Sequence, residues 1–119
     1  MKKHGISFKH AFNGLLVAFK EQPNLKIHLS FAVLVIALGY FLPVSYLEWM
    51  ILIFSISLVL IAEMMNTTVE AVTDLLTEKW HLKAEIAKDV GAGMVLLSAF
   101  FASIVGLIIF VPKIVQVLK

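Results

Sequence analysis

The segment Trp49–Asp74, WMILIFSISLVLIAEMMNTTVEAVTD, decides the fold. Its first half is uncharged from Trp49 to Ala62, and the apolar character continues past Glu63 into Met64 and Met65. At 100° per residue, Asn66, Thr67, Glu70 and Asp74 lie at about −60°, +40°, −20° and +20° relative to Glu63. One apolar helix therefore carries a polar stripe about 100° wide, with Met65, Val69, Val72 and Leu76 on its other side. An uncompensated carboxylate inside a bilayer costs on the order of several kcal/mol, so an acidic stripe there marks function. A polar face that only ties helices together by hydrogen bonds accounts for a lone Asn or Thr. It does not account for Glu63, Glu70 and Asp74 together, which need cations or protons.

Two further uncharged runs flank this helix. Ile27–Leu47 contains no Asp, Glu or Lys, although it holds His28 and Pro43, and Gly91–Val111 is uncharged throughout. A helix of 21 residues rises roughly 31 Å, close to the ~30 Å hydrocarbon thickness of a bilayer. The expected spans are about 27–47, 48–70 and 91–111, the middle one with Glu63 inside it or at its margin. Composition agrees: of 119 residues 61% are apolar and 15% charged, against roughly 45–50% and about 25% in soluble domains. So short a chain cannot enclose that much apolar surface in a core of its own, and the surplus faces lipid. The expectation is an all-α membrane protein with one domain over residues 1–119, too short to carry a separate nucleotide-binding domain.

Lysine placement orients it. All ten basic residues are lysines. Lys2, Lys3, Lys9, Lys20 and Lys26 precede the first span, and Lys79, Lys83 and Lys88 lie between the second and third; only Lys113 and Lys119 fall on the opposite side. The positive-inside rule favours a cytoplasmic N-terminus and an external C-terminus in a bacterial cell membrane. Tyr40, Tyr46 and Trp49 flank the outer link, where interfacial aromatics are expected. Within residues 1–26, Phe8, Ala11, Phe12, Leu15, Leu16 and Phe19 follow helical spacing, which predicts an amphipathic helix on the inner membrane surface before a turn at Pro23 and Asn24. A net charge of +2 argues against a nucleic-acid partner. The absence of cysteine excludes disulfides and thiolate metal sites, and no apolar core follows Lys2 and Lys3 closely enough for a signal peptide.

Thr77–His81 reads as the turn between the second and third long helices. The third then opens with Ala84-Glu-Ile-Ala87-Lys88-Asp89-Val-Gly91-Ala92-Gly93, where Ala84, Ala87 and Gly91 allow a close helix approach. Lys88 alone would read as a lysine snorkelling at a helix end. Beside small residues and on the same side as the acidic stripe, it is a candidate partner for phosphate or carboxylate. Gly91-Ala92-Gly93 lacks the strand and third glycine of a dinucleotide fingerprint, and neither a phosphate-binding loop nor a kinase catalytic loop occurs. His4, His10, His28 and His81 lack metal-ligand spacing and are expected to be solvated or interfacial.

The run Glu63-x-x-Asn66-Thr67-x-x-Glu70-x-x-x-Asp74, followed by Ala87-Lys88-Asp89-x-Gly91, resembles the prokaryotic diacylglycerol kinase family of small membrane lipid kinases. The likeness extends over nearly the whole chain, including Ala11, Gly14 and Ala18 in the N-terminal helix and the acid at Glu21. Glu21-x-x-Asn24-x-Lys26-Ile27-His28 and the Pro112-Lys113 ending resemble the Gram-positive branch, which prefers undecaprenol to diacylglycerol. The resemblance implies a homotrimer with active sites shared between subunits, transferring the γ-phosphoryl group of ATP to a lipid alcohol with Mg2+. It implies Glu63 as general base, Glu21 and Glu70 as metal–ATP carboxylates, and Asn66, Lys88 and Asp89 as nucleotide-side residues. Family members often carry arginine near the N-terminus; here Lys9 or Lys26 could replace it only as a point charge. The depth of the acids fits these roles, since Glu63 lies seven residues, about 10 Å, deeper than Glu70. The deeper acid suits a membrane alcohol and the shallower one cytosolic ATP. A diacylglycerol kinase is the nearest alternative. A proton-coupled transporter is a different class, and predicts an acid near mid-span with four spans.

Overall fold

The computed structural model describes residues 7–119, so Lys2, Lys3 and His4 lie outside the described residues. Four helices follow in order: α1 Phe8–Glu21, α2 Pro23–Phe41, α3 Tyr46–Leu76 and α4 Leu82–Leu118. Local chemistry sets each boundary. Gln22 has extended backbone and ends α1 while opening α2, as expected of a residue before proline, with Pro23 at the first helical position. Ser45 opens α3, its Oγ accepting from the Glu48 N–H at 3.2 Å. His81 caps α4, its Nδ1 accepting from the Lys83 N–H at 3.1 Å. The expected turn at Thr77–His81 separates α3 from α4.

Helix lengths depart from the expected spans in an informative way. The first run was expected to cross from 27 to 47, but its helix begins at Pro23 and ends at Phe41, because Pro43 lies in the turn that leads from Leu42 to Ser45. The other two outrun their apolar segments, reaching 31 and 37 residues. At 1.5 Å per residue α4 measures about 55 Å, nearly the whole 59 Å length of the molecule. Helices α2, α3 and α4 are each long and apolar enough to cross a membrane.

Side-chain contacts define an antiparallel arrangement. Glu48 meets Lys113, Asn66 meets Gly91, and Asp74 meets Lys88, so α3 and α4 form a hairpin along their length. Trp49 meets Gly39 and Glu63 meets His28, which lays α2 antiparallel to α3. The start of α2, the end of α3 and the start of α4 therefore share one end. With His28 level with Glu63, the first residues of α2 stand level with about residue 68 of α3, and the hairpin projects beyond α2 there.

A buried apolar cluster lies at the opposite end, where Leu52, Ile109 and Phe110 are buried together with Trp49, Val35 and Val105 against them. Trp49, half-buried beside the link, packs its ring onto Gly39, and Tyr40 and Tyr46 are exposed. Serines inside the spans satisfy themselves: the Ser57 and Ser103 hydroxyls each donate to the carbonyl four residues back at 2.8 Å. Helix α1 leaves its apolar face open, with Phe8 86% and Phe12 61% exposed, the disposition of a helix that lays this face on lipid.

Candidate functional site

The polar stripe of α3 changes character along its length. Glu63 is only 2% exposed and Asn66 is also buried, Thr67 is half-buried, and Glu70 and Asp74 are exposed. The helix thus carries acids from a closed interior to an open end within three turns. Glu63 Oε2 and Asn66 Oδ1 are both enclosed without a hydrogen bond. A buried polar atom left unpaired costs about 1–3 kcal/mol, so two of them one turn apart mark a place prepared for something else.

Neighbouring elements explain how Asn66 comes to be buried. A Cβ built on Gly91 of α4 would collide with Asn66 Oδ1, so the glycine is what lets the amide sit between α3 and α4. From there Asn66 Nδ2 donates to Glu70 Oε1 at 3.4 Å. The Thr67 hydroxyl donates to the Glu63 carbonyl at 3.0 Å and is satisfied within its own helix. Across the hairpin, Lys88 Nζ donates to Asp74 Oδ1 at 2.6 Å, both side chains remaining solvent-exposed. Lys88 stands outside the uncharged run that begins at Gly91. The hydrogen bond it donates to Asp74 holds the Lys88 ammonium above the usual lysine range, against a smaller opposing effect of burial.

One residue that sequence reasoning misplaced joins this group. His28 was expected to be solvated or interfacial, but α2 sets its Nε2 3.5 Å from Glu63 Oε2, with the imidazole 23% exposed. The available signal was its position as the one ionisable residue of types His, Asp, Glu or Lys in the Ile27–Phe41 stretch. Glu21 ends α1, exposed, and Asp89 is exposed one residue beyond Lys88. Among the described residues, no three His, Asp or Glu side chains gather closely enough to hold a metal ion. The chain on its own therefore does not build a closed metal cage around Glu21 and Glu70.

Two hollows flank the stripe. On the membrane side an apolar cleft of about 570 Å³ runs between α2 and α4 over α3, lined among others by His28, Phe31, Val59, Leu60, Ala99 and Ser103. At the hairpin end a polar hollow of about 660 Å³ is bordered by Thr73, Asp74, Trp80, His81, Lys88 and Asp89. Trp80 is held there by its indole N–H, which donates to Glu85 Oε2 at 2.6 Å. Along α3, Glu63, Asn66 and Glu70 occupy the interval between the two hollows. Chemically, this arrangement can receive an apolar molecule from one side and a polar, anionic one from the other, with a buried carboxylate at the junction.

Comparison with known proteins agrees with this geometry. Residues 9–110 match the family model described as prokaryotic diacylglycerol kinase. An undecaprenol kinase of Bacillus subtilis is 37% identical over 107 residues, covering 90% of this chain and 87% of that protein. A diacylglycerol kinase of Synechocystis is 37% identical over 114 residues, covering 95% of this chain and 65% of that protein. A diacylglycerol kinase of Escherichia coli is 30% identical over 104 residues, covering 87% and 82%. A multi-pass helical chain with this acidic junction and these relatives belongs to the prokaryotic diacylglycerol kinase family, the membrane lipid kinases.

Proposed function

We propose that this lipid kinase transfers the γ-phosphoryl group of ATP to the hydroxyl of undecaprenol, giving undecaprenyl phosphate. The observation that carries the reading is the enclosed, unpartnered carboxylate oxygen of Glu63, set between an apolar cleft and a polar hollow. The polyprenyl chain lies along the cleft, its hydroxyl at Glu63, and ATP enters from the polar end. Glu63 is the general base, within the general expectation that such a base sits in hydrogen-bond reach of the proton it takes. Asn66, Lys88 and Asp89 organise the nucleotide side, Lys88 exchanging its Asp74 partner for phosphate oxygens.

Glu70 and Glu21 would hold Mg2+. Both carboxylates are exposed, and an open pair rather than a closed cage is the donor set used by an ion that shares its coordination with water and phosphate oxygens. When bound, the ion supplies charge neutralisation for the transferring phosphate. A site this sparse supports a homotrimer in which neighbouring chains complete one another's active sites. In the sequence, eight of the ten lysines precede the first span or lie between the second and third, which supports a cytoplasmic N-terminus and a cytoplasmic stripe, in a bacterial cell membrane with the C-terminus outside.

The name of the Bacillus subtilis relative favours undecaprenol; the names of the Synechocystis and Escherichia coli relatives favour diacylglycerol as the second reading. The test is phosphate transfer by the purified chain in vesicles, with γ-labelled ATP and Mg2+ and the two alcohols offered in parallel. The expected outcome is labelled undecaprenyl phosphate in excess of phosphatidic acid, abolished by chelation of the metal. Preferential labelling of diacylglycerol would select the second reading, and labelling of neither would overturn both.

A further inference from the structure

We propose that His28 is a positioning residue for the carboxylate of Glu63, an inference that rests on the reading of Glu63 as the base. The imidazole Nε2 stands 3.5 Å from Oε2, and Oε2 is otherwise enclosed without a hydrogen bond. From α4, the surface facing this level is the uncharged run that starts at Gly91, with Ala99 and Ser103 lining the same cleft as His28. On α3, Asn66 is engaged with Glu70 and the Thr67 hydroxyl with a backbone carbonyl. On α2 itself Lys26 is exposed, and Lys20 and Glu21 at the end of α1 form no ion pair with either residue among the described residues. Glu63 is therefore the charged group against His28, and His28 the ionisable group against Glu63.

The chemistry of this pairing is specific. An N–H on Nε2 directed at Oε2 holds one carboxylate oxygen and leaves Oε1 for the substrate hydroxyl. In the transfer, the lipid O–H proton passes to Oε1 as the lipid oxygen bonds to the γ-phosphorus. The bond between that phosphorus and the β,γ-bridging oxygen breaks, and ADP leaves with its electron pair. The imidazole does not touch the reacting atoms; it aims the carboxylate from 3.5 Å before the proton arrives.

The test compares His28→Ala, His28→Gln, His28→Phe and Glu63→Gln in the vesicle assay, with assembly and thermal unfolding followed alongside. His28→Ala should lower kcat roughly ten- to hundredfold, the usual scale for groups that orient a working side chain, with KM for Mg·ATP unchanged. His28→Gln keeps an N–H donor and should restore most of kcat, whereas His28→Phe, of similar size without that donor, should not. On a Glu63→Gln background, His28→Ala should cause no further loss. Wild-type kcat in His28→Ala, or a further tenfold loss in the double variant, would overturn the inference. If the alanine variant does not assemble, glutamine against phenylalanine decides: equal kcat in the two overturns the role, a loss of tenfold or more confined to phenylalanine upholds it. Wild-type turnover in Glu63→Gln would instead overturn the assignment of the base itself, which separates the two failures.

Discussion

The two ends of α3 hold the same device put to opposite uses. At the outer end Glu48 meets Lys113, whose Nζ lies 3.1 Å from Oε1 and 2.8 Å from Oε2, straddling the carboxylate. Beside it Gly39 admits the ring of Trp49, and a buried apolar cluster closes the packing. At the other end Glu63 has only a histidine at 3.5 Å, and Gly91 admits the amide of Asn66, whose Oδ1 is left without a partner. Both ends use an acid and a glycine that lets a larger side chain approach closely. Glu48 Oε2 and Glu63 Oε2 are both enclosed without a hydrogen bond, but the first has an ammonium at 2.8 Å and the second an imidazole at 3.5 Å, so the Glu48 end ties helices together more closely than the Glu63 end does. In a bilayer, packing and satisfied polar contacts take over the work that water exclusion does in soluble cores. A buried acid with its pairing unfinished is therefore the feature to separate from one that simply stabilises.

The largest effect should come from Glu63→Gln. Removal of a general base lowers kcat by roughly 10²–10⁴-fold, while the unfolding midpoint should hold or rise, because the change removes a buried charge whose neighbour, His28, stands off at 3.5 Å. A fall in midpoint like that of an outer-end variant would erase the contrast. Next, Gly91→Ala pushes a Cβ into Asn66 Oδ1 and should lower turnover at least tenfold while costing about 1–3 kcal/mol of stability. The matching Gly39→Ala change, which meets the Trp49 ring at 2.6 Å, should cost similar stability and leave turnover per folded protein intact. Paired assays of turnover and thermal unfolding on the two glycine variants sharpen the comparison directly.

Glu48→Gln breaks the outer ion pair. Its carboxylate and the Lys113 ammonium are 28% and 16% exposed, between the exposed and buried limits, so about 1–3 kcal/mol of stability should be lost. Exchanging the two charges should restore part of it, and turnover should stay within a few-fold throughout. The smallest effect is expected for Asp74→Asn at the exposed pair with Lys88. Its unfolding midpoint should scarcely move, since such pairs contribute little. The Lys88 pKa is raised by that pairing, so what stability the pair supplies is present below the usual lysine value and is lost only as pH climbs through the raised one. The wild-type and Asp74→Asn midpoints should therefore converge in strong alkali, as Lys88 loses its proton.

These contrasts also show what the sequence made legible. Uncharged runs located three spanning helices, because the bilayer imposes a length that composition alone reveals. The stripe on α3 was legible because its members share one helix, where 100° per residue is enough to bring them together. Gly91 stood out as a small residue at a helix contact. What stayed hidden lies between helices: His28 against Glu63, Lys113 against Glu48, and the Trp49 ring on Gly39. Those pairings depend on the register of one helix against another, which no periodicity within a single helix specifies. The first span ended early for a local reason, Pro43, which breaks the helix although the hydropathy continues to Leu47.

The most direct measurement is photo-crosslinking of an azido-ATP analogue to the chain in vesicles with Mg2+, in the presence and absence of excess ATP, with the labelled peptides identified by mass spectrometry. Competable label is predicted within Asn66–Gly91, the end that holds the unpaired Asn66 amide oxygen and the polar hollow. Competable label confined to Tyr46–Trp49 or Val111–Lys119, at the sealed end, would contradict the account.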